Sequence, residues 1–296
     1  MKKFVILTDS CADLDKGLRE KYGIDYVPMH FTLDGKEYLA DLDWGEISAS
    51  KFYQSMREGK TVKTSQVTVK QFEEKFESLV ADGNEVLYIS CSSALSASIK
   101  ESIVAKNAVL KKYPEAKIEC VDSLNSCLGQ GMMCVTAAQL REEGLSLKET
   151  AEWIEKNKLK VNQECTVEKL TYLKNAGRVS AASAFFGGIF SVKPIIISDA
   201  KGNNNAVEKV KGRKTSIVRL AERVKEEFTK FPYQKIYFAH ADSLDDVNAL
   251  KEEVAKRIDM TGIETHTGYV GPIVGGSAGP GTIAVYFFGT EVTVGK

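Results

Sequence analysis

Proline, histidine and net charge are scarce in this sequence, and each scarcity excludes something. Six prolines in 296 residues, beside 43% hydrophobic and 27% charged residues, exclude a disordered or proline-rich extended chain. The 40 Lys and Arg offset 40 Asp and Glu, and a formal charge of zero argues against a surface built throughout to hold nucleic acid or an anionic membrane. His30, His240 and His266 fall in no HxxxH or His/Cys pairing, so no metal site is expected. Cys11, Cys91, Cys120, Cys127, Cys134 and Cys165 form no CxxC, and no stretch before Asp9 is long enough for a signal peptide; the cysteines read as small buried apolar residues. Residues 123–140 contain Ser, Asn, Gln and Gly and read as a buried helix, while 265–290 carry seven glycines and two prolines. Neither reads as a membrane span, so the chain is expected to be cytoplasmic, without stable membrane insertion.

What is present is rhythm. At about 150 residues per domain the length suggests two domains. An apolar run at 4–7 ends in Thr8-Asp9-Ser10 and leads to a helical stretch at 13–22. Strand-like runs at 24–33 and 36–39 flank Asp34-Gly35, a hairpin signal. Helical patterns at 49–57 and 69–81, a buried-strand run at 85–90, a helix at 96–113, a strand at 117–121 and a helix reaching 143 follow. Strand and helix in turn, with polar residues at the carboxyl ends of strands, predict a parallel, doubly wound sheet, which takes ligands outside those ends. After a helix at 147–156 the rhythm changes to helical stretches near 167–175 and 181–190, strands at 193–198 and 206–211, helices at 215–228 and 244–258, and strands at 235–239, 263–270 and 282–288. The expectation is an α/β domain over 1–162 and an α+β domain over 163–296.

Several motifs fail on context. Gly275-Gly276-Ser277-Ala278-Gly279 matches GxSxG, but the 19 residues after Ser277 include no His and no Asp, and a strand-like run follows. Gly279-Pro280-Gly281-Thr282-Ile283-Ala284 fits GxGxxA without the following helix and acid, Gly129-Gln130-Gly131 lies inside a helical pattern, and no GxxxxGK[ST] occurs. What remains is a set of hydroxyls at strand ends. Thr64-Ser65-Gln66 reads as a loop just before a helix, and Ser92-Ser93-Ala94-Leu95-Ser96 joins a strand to a helix, where free amides and hydroxyls can hold an anion. N-capping alone is the plainer alternative.

These segments, with Val121-Asp122-Ser123, Leu173-Lys174-Asn175-Ala176-Gly177-Arg178-Val179-Ser180, Val192-Lys193-Pro194-Ile195 and Gly279-Pro280-Gly281, occur in an order and spacing that are specific together. Over essentially its whole length the chain resembles the DegV family of bacterial fatty-acid-binding proteins. The resemblance implies two domains with one long-chain fatty acid buried between them, no cofactor, no catalytic residue, and a binding role in place of an enzyme's. It also implies a partner, a separate ATP-dependent fatty-acid kinase of the dihydroxyacetone-kinase-like type, which converts the presented carboxylate to an acyl phosphate for phospholipid metabolism. By that analogy Thr64, Ser65, Ser277 and the pair Ser93 and Ser96 hold the carboxylate, with the nearer of the two serines left open. Phe185, Phe186 and Phe190 would line the acyl tunnel, ordinary core packing being the alternative. Arg178, Lys211 and Arg213 would lie toward the phosphoryl-transfer partner, within residues 169–214, where nine basic residues face two acidic ones. A solvated charged face is the plainer reading of that stretch, and a surface ion pair that of Arg178.

Two other readings stand beside this one. A phosphotransferase or hydrolase acting on a small acid at the same hydroxyl-rich cleft would need a nucleotide site, metal site or base that the sequence does not display. A regulatory or interaction protein that has lost its ligand is the third. The motifs depart from the family pattern at three places: Ser277 stands where a histidine is usual, Ala176-Gly177-Arg178 where Gly-Gly-Arg is, and Leu95-Ser96-Ala97-Ser98 where Leu-Ser-Gly-Thr is. A histidine can donate a charged hydrogen bond to an anionic head, a serine only a neutral one. Ser277→His is therefore expected to change the identity or affinity of the bound acid in native mass spectrometry and titration. An unchanged ligand and affinity would refute a part for this position in head-group recognition.

Overall fold

The computed structural model describes residues 4–179 and 192–296; Phe185, Phe186 and Phe190, and with them the helical reading of 181–190, lie outside these. The first half comprises β1 (Val5–Asp9), α1 (Lys16–Tyr22), β2 (Ile24–Val27), β3 (His30–Leu33), β4 (Lys36–Leu39), α2 (Ala49–Arg57), β5 (Val62–Ser65), α3 (Val69–Ala81), β6 (Val86–Ser90), α4 (Ser98–Lys112), β7 (Ile118–Asp122), α5 (Cys127–Glu142) and α6 (Leu147–Asn157). The second comprises β8 (Val161–Thr166), α7 (Thr171–Ala176), β9 (Val192–Ser198), β10 (Asn204–Lys211), α8 (Arg213–Glu227), β11 (Lys235–His240), α9 (Leu244–Ala255), β12 (Glu264–Tyr269), α10 (Pro272–Ala278) and β13 (Ile283–Phe288). Among the described residues, no helix is long and apolar enough to cross a membrane.

The parallel sheet runs in the order β2-β1-β6-β7. All five residues of β6 and four of the five in β1 are buried, as strands covered on both faces must be. The run at 24–33 is two strands, not one. Pro28 has no N–H for a ladder, and the chain leaves the parallel sheet after Val27 to start a small antiparallel sheet, β4-β3-β5. Asp34 and Gly35, at φ of 53° and 83°, make the β3–β4 turn in the conformation a two-residue hairpin prefers. The third sheet, β10-β9-β8-β13-β11-β12, is antiparallel except for β11 with β12. Chain position 162 is the second residue of β8, within this sheet.

Three elements depart from the sequence expectation. Thr64 and Ser65 are not in a loop but end β5, a short edge strand too polar to display an alternating pattern. β8 (VNQECT) has no apolar run, yet all six residues are buried, and three of its polar side chains are paired: Glu164 accepts from Arg223 at 2.6 Å, Asn162 donates to the Thr290 carbonyl at 2.9 Å and Gln163 donates to Asn204 at 3.2 Å. α10 forms inside the glycine-rich stretch, with Pro272 at its start.

Between the parallel and the six-stranded sheets lies α5, packed on β1, β2 and β6 on one side and β8, β11 and β13 on the other. Every residue from Cys127 to Ala138 is buried, so this helix has no solvent face, and its low amphipathicity follows. Small residues let it sit close. A Cβ on Gly131 would lie 2.8 Å from the Ala12 carbonyl oxygen and 2.7 Å from Leu14 Cδ2. Gly131→Ala is thus expected to lose about 1–3 kcal/mol of stability through overpacking, despite alanine's better helix propensity. Denaturant midpoints of the two proteins check this; an unchanged midpoint would show that α5 can move away from the Ser10–Ala12 turn.

Candidate functional site

A cavity of about 480 Å³ opens where the carboxyl ends of β1 and β6 meet β5, α7, α10 and the strands β8, β9 and β13. Its size falls within the ~300–1,000 Å³ of small-molecule sites. The ends of the parallel strands are fixed by Asp9, which is fully buried. Its carboxylate accepts from the Cys11 and Cys91 amides at 2.9 and 3.1 Å and from the Tyr88 hydroxyl at 2.7 Å. Burial raises its pKa and these donors oppose the rise. Gln130 of α5 donates to Thr8 Oγ1 at 2.9 Å and to Asp9 at 3.2 Å, and Thr8 donates to the Ile89 carbonyl at 2.8 Å. The Thr8-Asp9-Ser10 motif is therefore structural: it holds Cys11 and Cys91 at the cavity wall.

Of the five hydroxyls singled out in the sequence, Thr64, Ser65, Ser96 and Ser277 line the cavity. Ser93 does not. Its amide is drawn to the Asp122 carboxylate at 3.2 Å and the residue is solvent-exposed, so of the two serines Ser96 is the one at the cavity. Ser96 is oriented by Ser98, with 3.0 Å between hydroxyl oxygens, where the chain enters α4. Ser65 donates to the His30 carbonyl at 3.2 Å across the β3–β5 pair. Ser277 reaches only a long 3.5 Å contact with the Ile273 carbonyl, which leaves its hydroxyl loosely engaged.

α10 brings Ser277 to this wall because glycine lets the helix sink in. A Cβ on Gly275 would stand 2.2 Å from the Tyr53 hydroxyl oxygen, and one on Gly276 2.6 Å from Val62 Cγ1 of β5. Ser277 thus sits in the last turn of a short helix and not on the strand-to-helix elbow that GxSxG denotes in hydrolases. Arg178, just after α7, also lines the cavity, its Nε donating to the Leu95 carbonyl at 3.3 Å beside Ser96. Lys211 and Arg213 do not line it. Lys211 is exposed, and Arg213 is engaged by Asp246 at 2.9 Å and by the Gly281 carbonyl at 2.7 Å.

The rest of the lining escaped sequence reading. Met29, Leu95, Val167, Leu173, Ile196, Val270, Ile273 and Ala284 make it largely apolar, with Cys11, Cys91 and Cys165 among them and Gln163, Ser126 and Tyr286 as polar points. Strand alternation could have marked Cys165 and Tyr286 as inward-facing, but not as facing a cavity. Among the described lining residues none is His, Asp, Glu or Lys. Nothing there is placed to act as a general base toward the hydroxyls.

The family model described as "Uncharacterised protein, DegV family" matches residues 3–290 of the chain. A DegV domain-containing protein from Clostridium perfringens is 37% identical over 289 residues, covering 98% of each chain. Among solved structures, a fatty-acid-binding DegV family protein from Thermus thermophilus superposes with a TM-score of 0.84 at 27% identity, over 98% of this chain and 100% of that one. DegV, a fatty acid binding protein from Bacillus subtilis, gives 0.80 at 25% identity, over 97% and 100%.

The thiols of this wall are poor nucleophiles. Burial pushes Cys165 up to about 12, and a hydrogen bond with Cys91, then burial, raises Cys11 well above the ordinary thiol value. Cys134 and Cys120, off the cavity, are pushed by burial to about 12 and about 11. Thiolate is the reactive form, so at pH 8 native protein is expected to resist iodoacetamide on the timescale that labels free cysteine. All six cysteines should label after unfolding, counted by intact mass. Rapid native labelling of Cys11, Cys91 or Cys165 would contradict this account of the wall.

Proposed function

This chain belongs to the DegV family, and on that premise we propose that it binds one long-chain fatty acid between an N-terminal unit (1–162) and a C-terminal unit (163–296). In this reading it is a carrier, not an enzyme, and presents the carboxylate to a separate ATP-dependent fatty-acid kinase. One observation supports it above the others: the cavity is apolar over much of its wall, with the hydroxyls of Thr64, Ser65, Ser96 and Ser277 among those gathered in it, one guanidinium, and no His, Asp, Glu or Lys among its described lining. That is the chemistry of holding an acid and not of cleaving one.

Energy divides the work between wall and hydroxyls. Burying about 14 methylenes at about 0.8 kcal/mol each gives an upper bound of about 11 kcal/mol, so affinity comes from the apolar wall. A carboxylate buried without partners costs several kcal/mol. Thr64, Ser96 and Ser277 supply neutral donors, Ser65 joins them when its hydroxyl leaves the His30 carbonyl, and Arg178 supplies a charged donor at the same cavity. Lys211 and Arg213 belong to the face offered to the kinase, where positive charge would draw a phosphoryl donor.

The test begins with protein purified from cells, denatured, and its released small molecules analysed by mass spectrometry. One long-chain fatty acid per chain is expected. Ser96→Ala should weaken rebinding about tenfold or more, the loss of one hydrogen bond to a charged group, while Ser93→Ala should leave it unchanged. Absence of lipid together with intrinsic ATPase or esterase turnover would overturn the carrier reading in favour of an enzyme at the same cleft. Equal losses from the two serine variants would overturn the assignment of Ser96.

A further inference from the structure

A second pocket, of about 560 Å³ between the start of α1, the turn 42–44 and the end of β12, shares no lining residue with the first. Its buried acid, Asp13, already lies against the Gly271 amide and the Cys127 thiol, and its rings Trp44 and Tyr269 pack on each other. Open hydrogen-bonding groups face the first cavity instead. Gln163 is the third residue of β8 and Ser126 precedes α5; they are 4% and 5% exposed, and both line that cavity. Glu164 turns to Arg223 on the other face of the strand, so Gln163 shares the cavity face with Cys165. Across the ladder from Gln163 stands Tyr286, whose ring meets the first turn of α5 at Gly129. Gln163, Tyr286 and Ser126 thus form one floor, on elements other than those that carry Thr64, Ser96 and Ser277.

Hydrogen bonding leaves two atoms of this floor over. The Arg178 carbonyl can only accept, so Asn204 turns its Nδ2 to it, at 3.1 Å, and its Oδ1 to Gln163. Gln163 therefore spends an Nε2 proton on Asn204, at 3.2 Å, and its Oε1 accepts from no described residue. Ser126 sits at the N-cap of α5 without capping it, and among the described residues its hydroxyl has no partner. Both atoms remain open to the cavity. The neighbouring polar groups are engaged: the Tyr286 hydroxyl with the Cys127 thiol, and Thr282 with the Gly279 carbonyl at 2.8 Å. A plain methylene chain laid on this floor would strip water from an acceptor and a hydroxyl and give nothing in exchange.

We propose, on the carrier reading above, that the preferred ligand is a hydroxylated long-chain acid, whose chain hydroxyl donates to Gln163 Oε1 and accepts from the Ser126 hydroxyl. An alcohol is matched in both directions. A ketone only accepts and uses Ser126 alone, and a hydrocarbon chain uses neither, so the order of preference is hydroxyl, ketone, hydrocarbon. The position of the hydroxyl along the chain is set by the reach from the head group to this floor.

The test titrates delipidated full-length protein with stearic acid and with hydroxystearic acids carrying the hydroxyl near the carboxyl, at mid-chain or near the methyl end. One regioisomer should bind about tenfold or more tighter than stearic acid, and its keto analogue should fall between the two. Gln163→Leu should erase most of that preference, chiefly by tightening stearic acid several-fold. Ser126→Ala removes a hydroxyl that the fold does not use, and should cut the preference several-fold. It keeps the test open if the Gln163 variant does not fold. Stearic acid binding as tightly as every isomer, or a preference that survives Ser126→Ala unchanged, would overturn the proposal and leave the carrier reading standing. If no acid of the series binds, the carrier reading fails and the proposal fails with it.

Discussion

The fold turns on one constraint: α5 is buried on every side from Cys127 to Ala138, so two sheets must be built around it. An amphipathic helix would leave one sheet without a cover. Cys127–Glu142 instead offers small and apolar residues to both, and the distance between the sheets is set by what that helix can tolerate. Gln130, a fully buried polar group of this helix, is spent on Thr8 and Asp9, where it registers the helix against the end of β1. The cavity begins where this helix begins. Ser126 lines it one residue before α5, and Tyr286, from the opposite sheet, lines it beside Gly129. A gap between two sheets that one helix cannot fill at its amino end is a cavity by construction.

That arrangement explains which parts of the molecule could be read in the sequence. α2 and α3 occupy residues 49–57 and 69–81, as the periodicity predicts, because each has one wet and one dry face. β5, β8 and α10 were invisible for three different reasons. β5 is a four-residue edge, β8 buries Asn162, Gln163 and Glu164 on partners far along the chain, and α10 is written in residues that usually end helices. These three elements carry Thr64, Cys165 and Ser277 to the cavity, so the hydroxyls were legible as residues but their convergence was not. Ser93 and Ser96 differ only in direction, and direction is decided by Asp122, which turns the Ser93 amide outward. Asp13 carries no sequence signal at all. Its burial against the Gly271 amide and the Cys127 thiol emerges only in the fold.

Charge shows the same contrast between sum and arrangement. The basic excess of residues 169–214 is partly consumed inside the fold. Lys193 reaches Glu168 at 2.6 Å and Arg213 reaches Asp246 at 2.9 Å, while Glu208 is taken by Arg219 and Arg223 from α8. Arg178 stays at the mouth of the first cavity because its partners are carbonyl oxygens, Leu95 and Ala176, which leave its charge uncompensated by those contacts. A guanidinium held by neutral groups is positioned without being neutralised, which is the condition for it to act on an anion.

The two pockets then follow from one geometry. Both lie where the N-terminal strand ends meet the second sheet, and both use residues that follow β1: Cys11 at the first, Asp13 at the second. Between them stands Cys127, whose thiol contacts Asp13 on one side and the Tyr286 hydroxyl on the other. The first pocket is apolar with hydroxyls and the Arg178 guanidinium, and the second is lined by Asp13, Asp15, Asp43, Trp44 and Tyr269 among others. The three-residue turn Ser10–Ala12 gives Cys11 to the first pocket and leads directly into Asp13 at the second. Because α5 fixes that turn through Gly131 and Gln130, any movement of the helix is felt at both sites.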